Sequence, residues 1–111
     1  MSQESENATS QLAHTVYFTL NEPTPEGIEQ LKSACQHYLS GHDGTEYFAV
    51  GTLVPDLQRP VNDQAYHVSL HVHFKDRASH DQYQTDPRHL QFIEENKATW
   101  SQVRVFDSYL A

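Results

Sequence analysis

Along His14 to Leu20 the side chains alternate without a break: His14, Val16, Phe18 and Leu20 share one face, and Thr15, Tyr17 and Thr19 share the other. A period of two predicts a strand buried on one side. Asn21-Glu22-Pro23 interrupts it, and Thr24-Pro25-Glu26 reads as a helix start, with Thr as N-cap, Pro at the first helical position and an acid in the first turn. Ile28, Leu31, Cys35, Tyr38 and Leu39 then recur at helical spacing, with Gly41 beyond them as a stop. Glu46 to Val54 predicts a second strand, Pro55 to Asp63 a loop, and Tyr66 to Phe74 a third strand. In that third strand Tyr66, Val68, Leu70, Val72 and Phe74 lie on one face, and His67, Ser69, His71 and His73 on the other. Asp76 opens a short helix through Tyr83, and Thr85-Asp86-Pro87 restarts a longer one holding Leu90, Phe92 and Ile93. Val103, Val105 and Asp107 alternate with Arg104, Phe106 and Ser108 in a final strand ending near Tyr109.

The order is strand, helix, strand, strand, helix pair, strand. Its economical packing is an α+β fold in which one helical layer covers one face of a ferredoxin-like four-stranded antiparallel sheet. Strands one and three are then central. The start of strand one sits beside the end of strand three and the start of the long helix. Residues 1–11 hold only Met1 and Ala8 as apolar positions and read as a disordered acidic tail, leaving residues 12–111 as the single domain.

Charge and composition narrow the partners. Seven Lys and Arg against 15 Asp and Glu leave a formal charge of −8, with the cations scattered, so neither a nucleic acid nor an anionic membrane surface is an expected partner. The single cysteine, Cys35, excludes an intrachain disulfide and reads as a small buried hydrophobe. No segment approaches the ~18–20 apolar residues of a membrane span, and the polar N-terminus has no signal-peptide pattern. A soluble, cytoplasmic protein is expected. Phosphate-binding loops, nucleophile elbows and CxxC pairs do not occur, and no cofactor is expected.

Several segments together resemble the stress-responsive dimeric α/β-barrel (Dabb) family. His14-Thr-Val-Tyr-Phe-Thr-Leu20 resembles the family's His-x-Val-x-Phe-x-Leu opening, Phe48-Ala-Val-Gly51 its second strand, and Tyr66 to Phe74 with Asp76 its third. Tyr83 with Pro87-Arg-His89 resembles its Tyr and Pro-x-His segment, and Val105-Phe-Asp107 its closing strand. Many members read His-Pro-x-His where this chain has Asp86-Pro87-Arg88-His89. The resemblance implies a homodimer in which two sheets close a barrel with their helix-free faces, where Tyr17 and Tyr47 are expected. Many members are stress-associated proteins, and some plant relatives are polyketide cyclases in which the positions matching Tyr83 and His89 are the catalytic pair.

Two constellations carry candidate chemistry. His14, Tyr83 and His89 are expected to converge at one end of the domain, over an apolar pocket formed by Val16, Phe18, Val72 and Phe74. There His89 would serve as a base, its pKa lowered by the helix end, Tyr83 would stabilise a carbonyl or enolate, and His14 would support them. The competing reading is that these groups merely close the end of the barrel. The second constellation is His67, His71 and His73 on one strand face, which would hold a metal only if the rings converged; a polar, hydrated face is the plain alternative. The expected function is therefore a stress-responsive homodimer that binds a small, largely apolar molecule or protects without turnover. The alternatives are a cyclase-like enzyme with a His/Tyr acid-base pair and a cofactor-free monooxygenase.

Overall fold

The computed structural model describes residues 10–111, so all but the last two positions of the expected tail lie outside the described residues. The elements are β1 (Leu12–Leu20), α1 (Pro25–Leu39), β2 (Thr45–Thr52), β3 (Val68–Phe74), α2 (Arg77–Thr85), α3 (Pro87–Asn96), a 3-10 turn (Lys97–Thr99) and β4 (Trp100–Tyr109). The strands form one antiparallel sheet in the order β2-β3-β1-β4, the ferredoxin-like order expected from the alternation of elements.

Each helix begins where a side-chain oxygen meets the unpaired N–H groups of its first turn. Thr24 Oγ1 accepts from Gly27 N at 3.0 Å, Asp76 Oδ1 from Ser79 N at 2.9 Å, and Asp86 Oδ1 from Arg88 N at 2.8 Å. Beyond the C-terminus of α1, Gly41 and Gly44 turn the chain with φ of +75° and +83°.

The apolar faces of β1 and β3 meet the helices. Phe18, Val68, Leu70, Val72 and Phe74 are buried against Leu31, Cys35 and Leu39 of α1, Tyr83 of α2 and Phe92 of α3. Burying each large side chain contributes about 1.5–3 kcal/mol before chain entropy is counted. The helical layer stops short of β4: Val103 and Val105 point to the helix side yet remain 39% and 50% exposed.

Two boundaries differ from the sequence reading. Strand β2 spans Thr45–Thr52 rather than Glu46 to Val54, and β3 begins at Val68 rather than Tyr66. At that end the Leu20 N–H is taken by the ring of His67 (3.0 Å to Nδ1) while His67 N donates to Phe18 O, so the ladder closes on a side chain. Residues 53–67 therefore form a longer loop than expected. It is tied to the sheet by Thr19 Oγ1 donating to Ala65 O (2.6 Å) and by an Arg104–Asp63 ion pair (2.6 Å).

Among the described residues, nothing is layered on the face of the sheet opposite the helices. Tyr47, Ala13, Thr15, Tyr17, His71, His73, Arg104 and Phe106 share it by register. Tyr47 and Phe106 are each 53% exposed, and Tyr17 packs edge-on against Tyr66, His71 and Phe106. Among the described residues, no helix is long and apolar enough to cross a membrane.

Candidate functional site

His14 is the third residue of β1, on the helix side, and the antiparallel register sets Asp107 of β4 directly opposite. Their side chains meet, His14 Nδ1 to Asp107 Oδ1, at 2.5 Å. Burial holds the His14 pKa below the usual imidazole value, and Asp107 pulls it back only in part. The ring of His80, from α2, lies edge-on at 5.3 Å.

Tyr83 ends the buried stripe of α2. Its ring is enclosed by Phe74 at 4.9 Å, His42 at 5.0 Å, His14 at 5.9 Å and His89 at 4.7 Å. Its hydroxyl is buried without a hydrogen-bond partner, and desolvation pushes its pKa well up, keeping it a neutral donor. His89 occupies the first turn of α3 and is 9% exposed. Its pKa falls to about 4, mainly through burial, then through His14 and His42, while the backbone of Gln84 and the Asp86 carboxylate offset part of the fall. The sequence reading assigned that fall to the helix end; burial is the dominant cause. At neutral pH the ring is uncharged, and Nδ1 has no partner.

These groups border a cavity of about 160 Å³ between the sheet and α3. His14, Val16 and Phe18 of β1, Tyr83, His89, Phe92 and Ile93 of the helices, and Trp100, Val103 and Val105 of β4 line it. Val72 and Phe74, expected on its wall, are instead wholly buried and absent from the lining; Phe74 packs under His80 and Tyr83. The reason is where α3 lies. Phe92 packs on Phe18 (6.2 Å) and Trp100 (5.7 Å), so the gap opens mainly over β1 and β4, and of β3 only Leu70 reaches it.

Among the described residues, four buried side-chain polar atoms have no partner: Thr45 Oγ1, Tyr83 Oη, His89 Nδ1 and Trp100 Nε1. Three of them belong to residues lining this one cavity. Buried polar groups are ordinarily satisfied, so their concentration in one place singles this cavity out as the candidate site. Larger concavities exist: those of about 410 Å³ beside Leu20 and Gly27, about 420 Å³ beside Tyr17 and Arg104 and about 310 Å³ beside His80 and Asp107 are lined by none of these three residues, while one of about 270 Å³ beside His42 and Asp86 borders Tyr83 alone of the three.

Sequence reasoning missed three participants. Asp107 was visible as the charged member of an otherwise apolar alternation with Val103 and Val105. His80 stands three residues before Tyr83, the spacing that puts two side chains on one helix face. His42 had no periodic signal; its Nε2 hydrogen-bonds the Tyr38 backbone at 2.8 Å, which aims the ring at Tyr83. Asp86, standing where many family members carry His, caps α3 and lies 3.8 Å from His42 Nδ1.

The structure separates the second constellation. His67 is engaged with the Leu20 backbone before β3 begins, while His71 and His73 lie within the bare face, His71 Nε2 being 3.1 Å from Ser69 Oγ. Burial, and then the neighbouring His73, lower the pKa of His71.

Residues 12–110 match the model of the Stress responsive A/B Barrel Domain, and the chain belongs to that family. Comparison with curated proteins finds no match. A Dabb family protein with a ferredoxin-like fold from Mesorhizobium loti superposes with a TM-score of 0.76 at 21% identity, covering 92% of this chain and 98% of that one. A dimeric ferredoxin-like protein of unknown function from Thermobifida fusca gives 0.75 at 16% identity, with 91% and 92% covered. The hydroxynitrile lyase of Passiflora edulis gives 0.73 at 16% identity, with 93% and 95% covered. At these identities the likeness is one of fold.

Proposed function

We propose that this protein is a homodimer that binds one small, largely apolar molecule carrying a single hydroxyl or carbonyl oxygen in the cavity between the sheet and α3. The observation that carries the reading is that Tyr83, His89 and Trp100, whose Oη, Nδ1 and Nε1 are buried without partners, all line one largely apolar cavity. An apolar cavity near 150 Å³ accommodates a benzene-sized guest, so about 160 Å³ suits a molecule of roughly six to eight heavy atoms. Nδ1 is unpartnered, so we assign the ring proton to Nε2, on the side of the Gln84 backbone that favours protonation, which leaves Nδ1 as an acceptor. Tyr83 then donates to the guest oxygen, and a guest hydroxyl donates to His89.

Dimerisation supplies a cover for the bare sheet face. Its exposed Tyr47 and Phe106, flanking Tyr17, form a self-complementary patch once a two-fold axis is placed over them, and dimeric proteins share the fold.

Phenol and toluene differ by one hydroxyl and test the cavity directly. Titration followed by NMR shifts of Ile93 and Val103 should show phenol binding about 5–10-fold tighter than toluene, the worth of one or two net hydrogen bonds. Tyr83→Phe should remove most of that preference. Equal affinities, or shifts confined to other residues, contradict the reading.

A second reading, proton-transfer catalysis, is favoured by the His14–Asp107 pair beside Tyr83 and by the shared fold of a hydroxynitrile lyase. It places His89 as base, Tyr83 as carbonyl donor and His14 in support. A base with a pKa of about 4 is weak at neutral pH, which ranks binding first. Turnover of an enolisable or cyanohydrin substrate that His89→Ala abolishes would reverse that order.

A further inference from the structure

We propose that His14, His80 and Asp107 form a binding site for one first-row divalent transition-metal ion, of which Zn²⁺ is the representative. Three different elements supply the ligands: β1, α2 and β4. One ligand atom from each lies within 4.8 Å of the other two. Around a tetrahedral Zn²⁺ with bonds of ~2.0–2.1 Å, ligand atoms stand about 3.3 Å apart, so the 2.5 Å contact of His14 with Asp107 opens slightly as the ion enters, and the widest separation closes by about 1.5 Å at most. His80 makes that adjustment, because it stands on the surface helix while His14 and Asp107 are opposed by the strand register.

Three features go beyond proximity. First, the donors are two imidazoles and one carboxylate, a set that suits Zn²⁺, Co²⁺ or Ni²⁺ and not the all-oxygen demands of Mg²⁺ or Ca²⁺. Second, His80 Nδ1 is held by Asp81 Oδ1 at 2.9 Å, and that carboxylate is in turn held by Arg77 Nε at 2.9 Å. A carboxylate on the far nitrogen is how ligating histidines are oriented, and it leaves Nε2 to face the ion; the contact from Gln84 to Nε2 is long, at 3.4 Å. Third, a solvent-open hollow of about 310 Å³ is bordered by His80 and Asp107, together with Leu12, Arg77, Ser108 and Tyr109. An ion reaches the ligands through it and retains water in the fourth position. Asp81 neutralises the one guanidinium on that wall, Arg77.

The site is separate from the proposed guest-binding role. His14 borders both places, but His80 and Asp107 do not line the cavity beside Tyr83, so failure of the phenol experiment and failure of the metal experiment are distinguishable.

The test is calorimetric titration of the full chain, stripped with EDTA, with ZnCl₂, backed by the visible spectrum of added Co²⁺. One ion per chain is expected, at a Kd of about 10 µM or tighter. His80→Ala and Asp107→Asn should each weaken Zn²⁺ by about tenfold or more. Asp81→Asn should weaken it less, and His73→Ala on the opposite sheet face should leave it unchanged. Circular dichroism reports folding; should Asp107→Asn fail to fold, His80→Ala on the outer helix decides. No saturable binding at about 100 µM Zn²⁺, binding that His80→Ala leaves intact, or binding that His73→Ala removes would overturn the proposal.

Discussion

Lowering the pH from 7 to 5 should destabilise this protein through His89, by an amount the structure sets. The ring is buried and its pKa drops from 6.5 to about 4. Because the folded value lies below the unfolded one, the unfolded chain takes up the proton first as the pH falls. The contribution of the neutral ring is therefore whole above about 6.5 and is lost progressively down to about 4. Linkage over two such values gives a loss of about 2 kcal/mol between pH 7 and pH 5, and a little over 3 kcal/mol when complete. The window is favourable, since Asp63, Asp76 and Asp81, whose pKa values are depressed below 3.8, stay ionised throughout it. His14 and His71 are shifted the same way and add to the slope in the wild type. The clean quantity is therefore the difference between wild type and His89→Gln. Urea unfolding at fixed protein concentration at pH 7, 6 and 5 measures it. The variant should lose about 2 kcal/mol of pH dependence over this interval while remaining folded. Parallel curves for the two proteins would refute the burial argument for His89 and, with it, the uncharged acceptor that the cavity reading uses.

Three further outcomes are expected. Gly44→Ala should cost about 2–4 kcal/mol in urea unfolding, because φ is +83° and an added Cβ would overlap Ser79 Oγ; Gly41→Ala, at φ +75° in open space, should cost only about 1 kcal/mol, and equal costs would remove the steric argument. Cys35, wholly buried with its thiol pushed up to about 12, should react with a thiol reagent only at the rate of unfolding, so prompt labelling of the folded chain would contradict its place in the core. Sedimentation equilibrium at tens of micromolar should give twice the 12.7 kDa chain mass, falling toward one chain for Phe106→Asp; a wild type already at 12.7 kDa would leave the bare face without its proposed cover.

Much of the fold was legible because strand faces declare themselves by alternation. The His14 to Leu20 and Val68 to Phe74 runs defined which side meets the helices, and the capping residues Thr24, Asp76 and Asp86 defined where the helices start. The meeting of His14, Tyr83 and His89 followed from strand order together with the places of Tyr83 and His89 at the junction of the two helices. What the sequence could not show depends on how layers sit on one another. The position of α3 over β1 and β4 decides that Val103 and Val105 line the cavity while Val72 and Phe74 do not. No periodicity encodes that placement. The inward turn of His42 depends on a side-chain bond to a helix carbonyl, and the late start of β3 on the ring of His67, neither of which leaves a mark in a hydropathy pattern.

The most direct test of the account is where a bound guest sits. Intermolecular NOEs from phenol to the protein in solution should connect its ring protons to Val16, Phe92 and Val103, beside Tyr83 and His89. NOEs to Tyr17 and Phe106 on the opposite sheet face, or none at saturating phenol, would contradict it.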